Sequence, residues 1–179
     1  MKIRALFAFM LLFIMSLLLS MPVQGETLQE YVVKAGYIYR FMLFTEWPES
    51  AFAESSDKII IGIYGPNPFS HLFEQITDKK VQGRKLVIKY FPEKKAYDDL
   101  VRCHVLFISR EAPISILSRL KNHPVLTISD RPDFIEHGGM IEFQTEDSHI
   151  RFSINRRAAR KAGISFSAQL LKIALKVVE

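Results

Sequence analysis

Apolar residues recur at intervals of three and four between positions 27 and 46, which is the spacing of one face of an α-helix. Thr27 and Glu30 have the spacing of a capping box at the start of this helix. Trp47 is expected to end it, because the residue before a proline, here Pro48, avoids the helical conformation. Phe41, Leu43 and Phe44 lie outside the apolar stripe that predicts the core face. This stripe consists of Leu28, Tyr31, Val32, Ala35, Ile38, Tyr39 and Met42. The second half of the helix must therefore be covered on both sides, either by the fold or by a partner.

Short apolar runs of strand length follow this helix, and helical patterns separate several of them. The first and third runs are almost continuously apolar, as expected for strands that are covered on both faces of a parallel sheet. Alternating strands and helices predict right-handed crossovers. The runs are residues 58–64, 85–91, 104–109 and 125–129.

The last third of the chain has a different pattern. Residues 140–144 and 150–154 alternate apolar and polar positions around a polar loop, which predicts an antiparallel hairpin. Asn155 is expected to cap a short helix, and Ser167 to cap a second helix over residues 168–178. The predicted fold class is α/β: a single-domain sandwich with a mixed, largely parallel sheet flanked by helices and a C-terminal antiparallel hairpin.

Residues 1–25 have the composition of a cleavable signal peptide, with two early bases, a long apolar run and a small residue at the end. An anchor that is not cleaved is the alternative, because the apolar run approaches the length of a membrane span. We expect an exported domain over residues 26–179. Removal of the signal peptide takes away Lys2 and Arg4 and no acid, which lowers the formal net charge from +5 to +3. This mild charge argues against a dedicated nucleic-acid binder.

The sequence gives no catalytic site. Cys103 and His104 are adjacent in a predicted strand, and a strand sends neighbouring side chains to opposite faces, so they cannot act as a dyad. As the only cysteine, Cys103 cannot form an intramolecular disulfide; a small buried residue is the simplest interpretation, and pairing between molecules is the alternative. The histidines do not fall at metal-ligand spacing. We expect no catalytic residues, no metal and no cofactor. The histidines are His71, His104, His123, His137 and His149.

Two groups of residues are candidates for binding. His137 stands before Gly138 and Gly139, and consecutive glycines form either a tight turn or an anion-binding nest of backbone amides. The second group consists of Arg151 on a strand and three arginines at the start of the following helix, where cations oppose the helix dipole. These arginines form either a solvated face or a site for an anion or a partner. The three helical arginines are Arg156, Arg157 and Arg160.

The order of several segments resembles that of the YfiR family of exported bacterial proteins. The most specific segments are "TEWP" at the end of the first helix, "VLTISD" before "GGMI", and "FSIN" before "AAR" and "SAQLL". The resemblance covers essentially residues 26–179, and its layout is similar to the α/β fold predicted above.

The resemblance implies regulation rather than catalysis. YfiR-like proteins are periplasmic and repress a membrane-bound diguanylate cyclase of the YfiN type, which lowers cyclic di-GMP and biofilm formation. An outer-membrane lipoprotein of the YfiB type can sequester the repressor, and homodimerisation is a family feature. This chain departs from the best-known member in having only Cys103, so redox control by a disulfide within one chain is not expected.

Two functional hypotheses follow. In the first, the protein is a non-enzymatic inhibitor that binds the sensor region of the cyclase, with Phe41, Phe44 and Trp47 as aromatic anchors and the helical arginines as an electrostatic rim. In the second, it is a small-ligand sensor. Its ligand-binding residues are then His137, Gly138, Gly139 and Arg151.

Overall fold

The computed structural model describes residues 28–54, 56–92 and 97–179, which form ten strands and five α-helices. The helices are α1 (Leu28–Leu43), α2 (Tyr97–Leu100), α3 (Ile116–Leu120), α4 (Arg156–Lys161) and α5 (Ala168–Ile173), and 3₁₀ turns cover Glu49–Phe52 and Leu72–Ile76. The strands are β1 (Thr45–Glu46), β2 (Lys58–Tyr64), β3 (Lys80–Val81), β4 (Arg84–Phe91), β5 (Val105–Ile108), β6 (Leu126–Ser129), β7 (Ile141–Glu146), β8 (His149–Asn155), β9 (Ser165–Phe166) and β10 (Lys176–Val178).

Eight of these strands form one mixed sheet in the order β10-β8-β7-β6-β5-β2-β4-β3. The central part, from β4 to β7, is parallel, and β7 and β8 form the predicted antiparallel hairpin. Every residue of β2 after Lys58 is buried, because α1 covers one face of the sheet while α2 and α3 cover the other. The predicted α/β class with a largely parallel sheet is therefore confirmed.

The first helix ends earlier than its sequence pattern predicts. It stops at Leu43, and the hydroxyl of Thr45 donates a hydrogen bond of 2.7 Å to the carbonyl oxygen of Phe41 in its last turn. Thr45 and Glu46 then pair with Phe166 and Ser165 in a two-stranded antiparallel sheet. A partner strand from far along the chain thus ends the helix before the proline does. Thr27, the predicted cap, lies outside the described residues.

The two predicted caps near the C-terminal end are confirmed. The side-chain oxygen of Asn155 accepts a hydrogen bond of 2.9 Å from the Ala158 N–H, and the Ser167 hydroxyl accepts one of 3.3 Å from the Leu170 N–H. The second helix, however, ends at Ile173 instead of continuing to residue 178. Residues 176–178 instead form β10, parallel to the last part of β8, because the open edge of β8 offers hydrogen bonds that helix propensity cannot match.

No helix within residues 28–54, 56–92 and 97–179 is long and apolar enough to span a membrane. The predicted signal peptide, residues 1–25, lies outside the described residues, and so its cleavage stays a prediction.

Candidate functional site

A groove with a volume of about 1310 Å³ lies between the first half of α1, the residues that follow β6 and the β7–β8 hairpin. Asp130 and Arg110 lie in it just after the carboxyl ends of β6 and β5, where open α/β sheets usually bind ligands. Val33 and Tyr37 line it from α1. Its position makes this groove the first candidate for a binding site.

A buried ion pair anchors α1 to the wall of the groove. The ammonium of Lys34 lies 2.9 Å from a carboxylate oxygen of Asp130, and the two side chains are only 1% and 3% exposed. The Tyr31 hydroxyl donates to the same oxygen over 2.8 Å, and the Arg110 guanidinium donates to the Asp130 carbonyl oxygen over 2.9 Å. The sequence pattern did not predict this cluster. Helical counting could have found it, because Lys34 stands three residues after Tyr31 and four before Ile38 on the core-facing side.

The groove is acidic although the chain as a whole is basic. Glu142 is buried in its floor and accepts hydrogen bonds from the Ile135 N–H at 3.1 Å and from the Gln144 amide at 3.0 Å. One carboxylate oxygen of Glu30 is buried and has no hydrogen-bond partner among the described residues. The lining contains five acidic residues against two arginines, whereas the whole chain has a formal net charge of +5. The acids are Glu30, Asp130, Asp133, Glu142 and Asp147, and the arginines are Arg110 and Arg151.

The predicted ligand-binding residues separate in the structure. Arg151 lines the groove, whereas His137, Gly138 and Gly139 are not among the lining residues. Gly138 has a positive φ of 94°, and a side chain at Gly139 would collide with the Phe134 ring. The two glycines are thus required by a turn and by close packing, which accounts for them without a ligand.

The three predicted aromatic anchors have different surroundings. Phe41 is fully buried, with its ring stacked on Phe143 at 5.6 Å, so it does not offer its ring to a partner in this conformation. Phe44 is half-buried at the edge of the same core. Trp47 is also half-buried, and its indole N–H donates a hydrogen bond of 3.1 Å to the carbonyl oxygen of His104.

The three helical arginines converge on Glu179. Arg156 and Arg160 lie 2.9 and 2.7 Å from its two carboxylate oxygens, and Arg157 donates to its backbone oxygen over 2.7 Å. The hydrogen bond from Arg156 is the largest of the effects that hold the pKa of the Glu179 carboxyl below its ordinary value. All four residues are exposed or half-exposed, so we expect these ion pairs to contribute little to stability. The pairing of β10 with β8 brings Glu179 to α4, where the arginines remain accessible.

Cys103 and His104 face opposite sides of the sheet, as predicted. Cys103 belongs to the apolar cluster under α2 and α3, and burial raises the pKa of its thiol to about 12. His104 instead stacks on Phe52 at 4.7 Å. Within the part of the chain that the structure describes, no three metal-ligating side chains come together.

We expect His104 to make the stability of the protein depend on pH. Its Nδ1 accepts a hydrogen bond from the Ile60 N–H, and burial is the main reason why the pKa of the imidazole is lowered from 6.5 to about 4. Between these two values the unfolded chain binds a proton that the folded protein does not. The free energy of unfolding should therefore fall as the pH decreases from 6.5 towards 4, as measured by urea denaturation.

The matched variants are His104→Asn, whose side-chain oxygen can still accept the Ile60 hydrogen bond, and His71→Asn at an exposed position. The first should flatten the dependence of stability on pH in this window, and the second should leave it unchanged. An unaltered pH dependence in His104→Asn would show that other groups are responsible.

Comparison with known proteins gives one family. The sequence model of YfiR/HmsC-like proteins matches residues 31–175. A solved structure of a conserved domain protein from Vibrio cholerae superposes with a TM-score of 0.53 at 12% sequence identity, a similarity that bears on the fold alone. The superposition covers 82% of this chain and 60% of that one, so this chain spans less than two thirds of that protein. A search of curated proteins found no match.

Proposed function

Because the chain belongs to the YfiR/HmsC-like family, we propose that it is an exported regulator that binds and inhibits the periplasmic sensor region of a membrane-bound diguanylate cyclase. The observation that carries this proposal is the family match over residues 31–175, since this is a family of regulators rather than enzymes. Inhibition would lower cyclic di-GMP and biofilm formation. A YfiN-type cyclase is the proposed partner, a YfiB-type lipoprotein the proposed antagonist, and homodimerisation is part of the same proposal.

Inhibition of this kind requires a difference in affinity. A binding protein shifts the equilibrium of a membrane sensor only by as much as it prefers the inactive conformation over the active one. A shift from 1:99 to 99:1 needs a preference of about 10⁴-fold. The regulator therefore needs a surface that binds the inactive conformation of the sensor much more tightly than the active conformation.

The outer side of α1 is the surface that best fits this role. Leu28, Val32 and Leu43 are 61%, 51% and 43% exposed on it. A helix face that contacts only solvent usually carries polar residues. Half-buried Phe44 lies next to the C-terminal end of α1. Helical spacing placed Leu28 and Val32 on the core face, but the structure leaves them exposed. The resulting apolar surface supports a contact with a partner on this side of the helix. The arginines around Glu179 are proposed as a separate electrostatic contact.

The protein should retain a cyclase from detergent-solubilised membranes of its own host, identified by mass spectrometry as a GGDEF-containing membrane protein. We expect Val32→Asp to weaken this retention by at least about tenfold, because a charge would be buried in the contact. Its melting temperature should stay within about 2 °C of the parent, since Val32 is half-exposed and surface changes are usually small.

The matched control is Tyr90→Asp, which introduces the same charge at a residue that is 47% exposed on β4, near the opposite edge of the sheet. It should retain the cyclase normally. Equal retention by both variants would remove the outer side of α1 from the proposal, and recovery of no cyclase by a well-folded parent would contradict inhibition by direct binding.

A small-ligand sensor is the second candidate, and the groove favours it. Its volume of about 1310 Å³ is large enough for a small molecule, and Arg151 is the cation proposed to orient an anionic group there, against the excess of acids in the lining. A screen of anionic metabolites by melting temperature tests this function, because a ligand that binds only the folded state raises the melting temperature. No shift with any ligand well above its physiological concentration would count against it.

A further inference from the structure

The strand β7 extends beyond its neighbour β6. The pairing of these two parallel strands consists of Ile128 with Ile141 and Ser129 with Glu142, and β6 ends there. The strand β7 continues to Glu146. Residues 143–146 therefore have β8 on one side and no strand among the described residues on the other side, which borders the groove.

The register of the hairpin determines which backbone groups point to this open side. The Asn155 N–H donates to the Met140 carbonyl over 2.8 Å, which makes these two residues a hydrogen-bonded pair. Such pairs alternate with non-hydrogen-bonded pairs along an antiparallel hairpin. The next hydrogen-bonded pairs are therefore Glu142 with Ser153 and Gln144 with Arg151.

The intervening residues, Phe143 and Thr145, direct their backbone groups away from β8. The Phe143 N–H is already used by β6, because the parallel pairing of Ser129 with Glu142 engages the N–H of the residue after Glu142. The C=O of Phe143 and both the N–H and C=O of Thr145 are left open. An open row of such groups is a template for another strand.

The excess of acidic residues in the groove indicates which side chains a strand added to β7 would carry. Of its five acids, only Asp130 forms an ion pair among the described residues, with Lys34. Glu30, Asp133 and Asp147 form none there, and Glu142 has only neutral hydrogen-bond partners. Lysine or arginine side chains would neutralise these carboxylates, while apolar side chains would meet Val33 and Tyr37 on the α1 wall.

We infer that the groove binds an extended basic peptide, which adds as a strand to the open edge of β7. Backbone hydrogen bonds to the C=O of Phe143 and to the N–H and C=O of Thr145 supply affinity, and alternating side chains supply specificity. This site is separate from the outer side of α1 and stands on the groove alone, so it goes beyond inhibition of a cyclase.

The test measures binding of a fluorescent peptide of alternating lysine and valine, about eight residues long, which is an ordinary strand length. Fluorescence anisotropy should show saturable binding to the purified protein. The same peptide with every backbone nitrogen methylated keeps its charges and loses its N–H donors, and it should bind at least about tenfold more weakly. An alternating glutamate and valine peptide should not bind.

The matched protein variants change charge without changing shape. Glu30→Gln combined with Asp133→Asn should weaken the lysine peptide by about tenfold. Glu74→Gln, at an exposed residue outside the groove, should leave binding unchanged. Absence of binding by the lysine peptide, or equal binding by its methylated form, would overturn strand addition. Equal binding by the groove variant and by the Glu74→Gln control would overturn the role of the acidic residues. Because no cyclase is present, these outcomes are distinct from failure of the membrane retention experiment.

Discussion

Phe41→Ala is expected to lower the free energy of unfolding by about 3–5 kcal/mol, the range measured for truncating a buried phenylalanine. The ring has 0% exposure and lies among Tyr37, Phe143 and Phe152, with centroid distances of 5.9, 5.6 and 4.8 Å. Its removal would leave a cavity where α1 packs on the β7–β8 hairpin. Urea denaturation with linear extrapolation measures the change.

The control is Leu43→Ala, which truncates a residue of the same helix that is 43% exposed. We expect this change to cost less than about 1 kcal/mol, because surface substitutions are usually mild. If both variants were equally stable, Phe41 would be dispensable to the core. Its ring would then be available for the partner contact that its sequence position also suggested.

The second large effect is expected at the buried ion pair. Lys34→Met removes the ammonium that contacts the Asp130 carboxylate, and Asp130→Asn removes the carboxylate charge that contacts Lys34. Both side chains are almost completely buried. Removing one member of a buried ion pair costs about 3–5 kcal/mol, because the remaining buried charge loses its contact with the opposite charge. Each single variant should therefore be destabilised by roughly this amount at pH 7, as measured by urea denaturation.

The double variant Lys34→Met with Asp130→Asn separates coupling from simple loss of contacts. It should be clearly more stable than the sum of the single effects predicts, because neither charge remains. Strict additivity would instead show that the two charges are each compensated by other neighbours. Tyr31 is the described candidate for both charges, because its hydroxyl donates to the Asp130 carboxylate and its ring centroid lies 4.4 Å from the Lys34 ammonium.

These two sites show where sequence reasoning about α1 succeeded and where it failed. Helical spacing predicted a core-facing side, and Ile38 and Met42 do lie there. Leu28 and Val32, which the same spacing placed on that side, are instead 61% and 51% exposed. Phe41, which the same spacing placed outside the stripe, is also buried, because the hairpin adds a second covering surface from more than 100 residues away. Lys34 is buried for the same kind of reason, since Asp130 comes from a distant strand end.

The arginine cluster shows the same limit on the other side of the molecule. The sequence left open whether Arg156, Arg157 and Arg160 form a solvated face or a site for an anion. The structure brings one anion to them, the carboxylate of Glu179, because β10 pairs with β8 and carries this residue across α4. Whether a partner also meets these arginines stays a prediction.

The sequence by itself determined the properties that depend on neighbours a few residues away. The alternation of apolar runs predicted the α/β class and the strands β2 and β4 to β8, and side-chain chemistry predicted the caps at Asn155 and Ser167. Only the tertiary structure decided which edges stay open and which charges meet. The groove, the Lys34–Asp130 pair and the uncovered edge of β7 depend on strand lengths and pairings between distant segments, which local patterns do not encode.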